Sequence, residues 1–155
     1  MKILMVCLGN ICRSPLADGL LRRKVAENQL DVEVDSAGTS NQHRGEAPDA
    51  RMVATANSYG TDISFLRARQ FVKADFQNFD LIYVMDKSNL RNVMALASSE
   101  QDRQKVKLIL NELNPNTDQE VPDPYFGGQA GFDHVYALLD EATDKLINNI
   151  KNNAH

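Results

Sequence analysis

The sequence predicts an α/β protein built on a four-stranded, twisted parallel sheet with helices on both faces. Short apolar runs alternate with stretches of helical periodicity along the chain, which is the signature of strands joined by crossover helices. The first run, residues 3–7, is continuously apolar and soon meets Gly9, as a strand buried on both faces does. The 155 residues suit one domain, residues 1–155, and no repeat, low-complexity segment or linker divides them.

The elements follow in order. Residues 3–7 form the first strand. Ser14 then Pro15 supply an N-cap and a first-turn proline, and Leu16, Leu20, Leu21 and Val25 continue at helical spacing. Residues 32–36 read as a second strand and 37–41 as a loop. A helix over 48–59 closes at Gly60. The turn-like Asn78-Phe79-Asp80 leads into a third strand over 81–85, then a helix over 86–97 and a fourth strand over 106–110. Residues 114–125, rich in Asn, Asp and Pro, form a long surface loop. The last helix spans 133–149, with Val135, Leu138, Leu139, Ala142, Leu146 and Ile147 on one stripe. The Asn- and Lys-rich end after Ile150 is expected to fray.

Composition narrows the partners. Hydrophobic residues make up 43% and charged residues 25%, the values of an ordinary soluble protein. A net charge of −4 argues against nonspecific binding to nucleic acid or an anionic membrane, although a local cluster of cations still accepts an anion. The opening apolar run is too short for the core of a signal peptide, and no stretch reaches the ~20 apolar residues a membrane helix needs. The two cysteines, Cys7 and Cys12, are too close in sequence to staple much chain, so a reduced, cytoplasmic setting is expected.

The chemistry is concentrated in Cys7-Leu8-Gly9-Asn10-Ile11-Cys12-Arg13-Ser14-Pro15, a phosphate-binding loop between the first strand and the first helix. Ligands of parallel α/β sheets sit beyond the carboxyl ends of strands, where Cys7 lies. The following helix directs its unpaired N–H groups and positive dipole end to the same place. Cysteines so placed ionise well below a free thiol, so such a nucleophile works without a histidine base. Arg13 offers two parallel N–H donors to two phosphate oxygens, which lysine cannot do. Gly9 lets backbone approach the ligand, and Asn10 tolerates a left-handed conformation. The loop lacks the Lys-Ser/Thr ending of the nucleotide-binding phosphate loop. A cysteine route needs no metal or other cofactor. His43, His134 and His155 are scattered and read as surface residues rather than ligands.

These residues resemble the signature of the low-molecular-weight protein tyrosine phosphatases. The similarity continues through Asp35-Ser36-Ala37-Gly38-Thr39-Ser40, Arg67-Ala68-Arg69-Gln70, Met85-Asp86-Lys87-Ser88-Asn89-Leu90 and Asp123-Pro124-Tyr125, nearly the whole chain in order. The resemblance implies hydrolysis of phosphotyrosine on a protein or peptide, with inorganic phosphate as product and Cys7 as nucleophile. Leu8, Gly9, Asn10, Ile11 and Cys12 would form the cradle. Asp123, by spacing alone merely a turn former, becomes the general acid. Ser14 would donate to the Cys7 sulfur, and Asn10 and Ser36 would hold the loop's shape. Cys12 would be able to form a reversible, redox-sensitive disulfide with Cys7. Tyr125 and Phe126 would wall the pocket or else cap the sheet edge.

Three positions depart from the family's pattern: Gln42 stands where an aromatic wall is common, Phe126 where tyrosine is frequent, and Leu66 where a histidine often braces Asn10. They put substrate preference and loop stiffness in question. Arsenate-reducing relatives need further cysteines, which this chain lacks. Phosphoarginine-specific relatives carry threonine at the position of Ile11, whose methyls suit a flat aryl group. A binding module without catalysis would have lost Cys7 or Asp123. A thiol–disulfide oxidoreductase would want Cys-x-x-Cys.

Overall fold

The structure, a computed structural model, describes residues 1–152. The expected fraying falls partly on residues 153–155, and it and the placement of His155 lie outside that range. Among the described residues the order is β1 (Lys2–Cys7), α1 (Arg13–Glu27), β2 (Glu33–Gly38), α2 (Ala50–Ser58), α3 (Asp75–Asn78), β3 (Leu81–Val84), α4 (Lys87–Met94), α5 (Glu100–Gln104), β4 (Val106–Leu108), a 3₁₀ turn (Ile109–Glu112) and α6 (Gln129–Lys151). The strands pair in parallel in the order β2-β1-β3-β4.

The central strand β1 explains why its sequence is apolar throughout. Ile3, Met5 and Cys7 join a core shared with α1 and α6, whereas Leu4 and Val6 join a second core that includes Phe76 of α3 and Val93 of α4. Successive side chains of a strand point to opposite faces, so a sheet covered twice leaves no polar register. The predicted fold class is the one observed.

Several boundaries differ from the sequence reading, each for a physical reason. Ser14 is not the N-cap of α1. Cys12 occupies that position without a side-chain cap, and Ser14 is buried inside the first turn with its hydroxyl turned to other work. β2 runs two residues further, through Ala37 and Gly38, because Gly38 pairs with Cys7 and bridges to Gln70. Asp86 precedes α4 as its cap, accepting from the Asn89 N–H at 2.8 Å. β4 stops at Leu108, where the chain tightens into the 3₁₀ turn with Ile109 and Leu110 still buried. α6 begins at Gln129, four residues before the predicted start. The short helices α3 and α5 were not expected. Among the described residues, no helix is long and apolar enough to cross a membrane.

Gly38 sets the approach of the loop that follows β1. A Cβ there would lie 2.7 Å from the Leu8 carbonyl oxygen, closer than side-chain carbons approach backbone, and a tight 3.1 Å from the Asn10 nitrogen. Thr39 and Ser40 then donate backbone hydrogen bonds to the carbonyls of Cys7 and Leu8 at 2.9 and 3.0 Å. The absent side chain thus lets the end of β2 buttress the phosphate loop.

Candidate active site

Cys7 ends β1, and the chain from Leu8 to Cys12 curls over the N-terminus of α1. Asn10 takes φ 57°, the left-handed region expected of it. That turn brings the Asn10 N–H to 3.3 Å from the Cys7 sulfur. Ser14 Oγ lies 3.0 Å from the same sulfur. The Asn10 side-chain amide donates to Ser14 Oγ at 2.7 Å, which leaves the serine's own proton for the Cys7 sulfur at 3.0 Å or the Ala37 carbonyl at 3.4 Å. Asn10 Oδ1 in turn accepts the Arg69 N–H at 3.0 Å. A chain of hydrogen bonds therefore runs from backbone at residue 69 through Asn10 and Ser14 to sulfur.

Asn10 is thus held by Ser14 and by the Arg69 backbone. Ser36, the other residue assigned to loop support, lies against the buried carboxyl of Asp18 instead, whose pKa is raised first of all by burial. Leu66, where relatives place a bracing histidine, is buried in the core.

Arg13 is 2% exposed. Its Nη1 donates to Asp86 Oδ2 at 2.7 Å and to the Val121 carbonyl at 2.9 Å, and its Nη2 lies 3.7 Å from Asp123 Oδ2. Burial works hardest against its charge, but the Cys7 sulfur and the Asp86 carboxylate outweigh it and raise the guanidinium's pKa above its ordinary value. Asp86 has no role in the sequence reading, yet it fixes the fork. Its position just beyond a predicted strand, the same rule that singled out Cys7, was the available signal.

The cavity here measures about 170 Å³. The phosphate loop contributes Cys7, Leu8, Gly9, Ile11, Cys12 and Arg13; the loop after β2 contributes Gln42 and His43; the loop before α6 contributes Asp123, Tyr125 and Phe126. Of the predicted site residues, Asn10, Ser14 and Ser36 do not line it. Tyr125 and Phe126 meet edge to face, 5.0 Å between centroids, and Phe126 is 93% exposed, so it stands at the rim rather than capping the sheet. His43, read from the sequence as a surface residue rather than a ligand, is half-buried: its ring faces the cavity 6.4 Å from Tyr125, its Nδ1 lies 3.1 Å from Glu46, and a Cβ on Gly9 would come within 3.1 Å of its Cδ2. An imidazole thus adjoins Gln42, where an aromatic wall was missed.

Cys12 is buried beside Cys7, both as free thiols. Burial first, then Asp49 and the Cys7 sulfur, push its pKa well above the ordinary thiol value.

A buried guanidinium, a thiol and a carboxylate around an anion-sized hollow at the carboxyl edge of a parallel sheet define an α/β enzyme of phosphate chemistry. The sequence model of one family, low molecular weight phosphotyrosine protein phosphatase, matches residues 2–155. A Synechocystis relative described as a candidate low molecular weight protein-tyrosine-phosphatase is 45% identical over 97% of this chain and 96% of its own. The human low molecular weight phosphotyrosine protein phosphatase is 39% identical, over 87% of this chain and 86% of its own. A crystal structure of a protein tyrosine phosphatase from Entamoeba histolytica superposes with a TM-score of 0.93 at 36% identity, covering 100% of this chain and 99% of that one. This chain belongs to the low molecular weight phosphotyrosine protein phosphatase family, a family of hydrolases.

Proposed function

We propose that this protein hydrolyses phosphotyrosine in proteins or peptides through a cysteinyl-phosphate intermediate. The reading rests on one observation above the rest: Cys7, Arg13 and Asp123 share a single small cavity. Arg13 binds two of the three phosphoryl oxygens, and backbone N–H groups of the cradle from Leu8 to Cys12 complete the binding of all three. Cys7 sulfur attacks phosphorus; the S–P bond forms as the P–O bond to the aryl group breaks, and Asp123 delivers a proton to the departing phenolate. Water then attacks phosphorus, Asp123 takes its proton, and the S–P bond breaks to give inorganic phosphate and a thiolate that Ser14 Oγ stabilises. Tyr125 and Phe126 flank the aryl ring, at about 0.5–1.5 kcal/mol for a good aromatic pair. Ile11, whose methyls favour a flat ring over a guanidino group, supports tyrosine over phosphoarginine.

Every step uses side chains of the protein, so neither a metal nor another cofactor is required. Phosphate release from phosphotyrosine, phosphoserine and phosphoarginine peptides in the presence of a chelator tests this reading. Release from phosphotyrosine well above the other two is expected. Loss of activity with the chelator, restored by a divalent cation, would point instead to an ion-activated water. The acidic net charge and the reliance on a free thiol support a cytoplasmic enzyme that binds neither nucleic acid nor membrane.

The two thiols also support reversible inactivation by peroxide. Peroxide oxidises Cys7 to a sulfenic acid; Cys12 sulfur then attacks it, forming the Cys7–Cys12 disulfide and releasing water. Peroxide-treated wild type should recover with a thiol reductant, while Cys12→Ser should lose activity permanently at the same dose. Equal recovery of the two proteins would rule the protective disulfide out.

A further inference from the structure

We infer that Arg51 is a positioning residue that holds the Asp123–Tyr125 loop over Cys7; this rests on the assignment of Asp123 as the acid. Arg51 lies in the first turn of α2 and has no place in the mechanism above. Its Nη2 donates to the Tyr125 carbonyl at 2.9 Å. Among the described residues, this is the hydrogen bond that joins residues 122–127 to another element, the Arg13–Asp123 pair being longer at 3.7 Å. The guanidinium also lies over the Tyr125 ring, 5.4 Å from its centroid, and over Phe132 of α6 at 4.8 Å. One planar cation therefore meets the backbone and ring of the pocket wall together with the helix that follows it.

The other end of the clamp reaches the phosphate loop. Asp49 accepts from Arg51 Nε at 3.1 Å and from Nη2 at 2.9 Å, a forked pair that fixes the guanidinium plane. The Asp49 backbone N–H donates to the Ile11 carbonyl at 2.8 Å. On the far side, the Tyr125 N–H donates to Asp123 Oδ1 at 3.1 Å. A continuous path thus runs from Ile11 through Asp49, Arg51 and Tyr125 to the carboxyl of Asp123. It sets the distance between the cradle and the acid without touching the reacting atoms.

Displacing an acid by about 1 Å costs roughly 10²-fold when its proton is needed and little when it is not. The test is therefore the dependence of kcat/KM on leaving-group basicity for Arg51→Ala and Arg51→Gln, with Asp123→Ala as reference. For phenyl phosphate, kcat/KM is expected to fall about 10- to 100-fold in both Arg51 variants. For 2,4-dinitrophenyl phosphate, whose leaving group needs no proton, it should change by less than about threefold. Arg51→Lys should resemble Arg51→Ala, because an ammonium cannot fork to Asp49 and Tyr125 together. In Asp123→Ala, adding Arg51→Ala should cause little further loss.

A merely structural arginine would lower both substrates alike and add its loss to that of Asp123→Ala; either result overturns the inference. A leaving-group dependence in Asp123→Ala without one in the Arg51 variants would also overturn it while leaving the acid intact. No such dependence in Asp123→Ala would instead remove the acid assignment itself.

Discussion

Cys7→Ser is expected to abolish turnover, lowering kcat with p-nitrophenyl phosphate by about 10⁵-fold or more, as loss of a covalent nucleophile does in other hydrolases. The substitution keeps the position and nearly the size of the attacking atom, so the cradle and Arg13 should still bind phosphate. What disappears is the sulfur that the proposed mechanism uses as nucleophile. The donors converging on sulfur, Ser14 Oγ at 3.0 Å and the Asn10 N–H at 3.3 Å, favour a negative sulfur but do not deprotonate a far less acidic hydroxyl. Among the described residues, no basic side chain is hydrogen-bonded to that atom to do so. The measurement is turnover with chelator present, paired with vanadate or phosphate binding to show an intact site. Serine-variant activity near wild type would end the covalent mechanism, because an unactivated hydroxyl is a far weaker nucleophile than a thiolate.

The sheet was legible in the sequence where burial is strongest. β1 is covered on both sides, so all its inward positions are apolar and its limits are marked by Lys2 and the Gly9 turn. The departures arise where hydrophobicity carries no directional information. Ile109 and Leu110 are buried whether the chain is extended or coiled, so the end of β4 could not be read from them. Helices as short as α3 and α5 show too little periodicity to detect. For α5 a local signal existed: Ser99 accepts from the Asp102 N–H and Asp102 reaches back to Ser98, a capping arrangement visible as Ser-x-x-Asp. The start of α6 at Gln129 was hidden by Gly131 in its first turn, where a glycine reads as a break.

The site divides in the same way. Residues 7–14 form one local turn, so the thiol, the cradle and the guanidinium were readable from spacing and strand-end position. Long-range partners were not. Asp86 orients Arg13 from a different strand end, His43 enters from the loop after β2, and Arg51 reaches the Tyr125 carbonyl across 74 residues. Their side chains are ordinary capping, turn or surface types in sequence, and only the parallel topology brings them to one edge. Asp123 belongs with these: family resemblance singled it out, and the fold sets its carboxylate 3.7 Å from Arg13.

That placement makes Asp123→Ala the second large effect. kcat/KM for phosphotyrosine should fall about 10²–10⁴-fold, the usual contribution of a positioned general acid. The loss should shrink steadily as the leaving group becomes less basic, since a stable phenolate departs without a proton. kcat should fall as well even for the best leaving groups, because in the proposed mechanism hydrolysis of cysteinyl-phosphate uses the same carboxylate as base. The intermediate would then accumulate, detectable as a burst of phenolate equal to the enzyme present and as an 80-Da mass increase, the mass added by PO₃H, on the peptide containing Cys7. An Asp123→Ala enzyme with the wild-type leaving-group dependence and no burst would show that another group carries the proton. Asp86 is the nearest alternative by connectivity, but its Oδ2 is held by Arg13 at 2.7 Å and its Oδ1 caps α4. Asp123, 41% exposed at the cavity mouth and held on Oδ2, among the described residues, only by the looser Arg13 pair, is the carboxylate better placed for the proposed exchange of a proton with substrate and water.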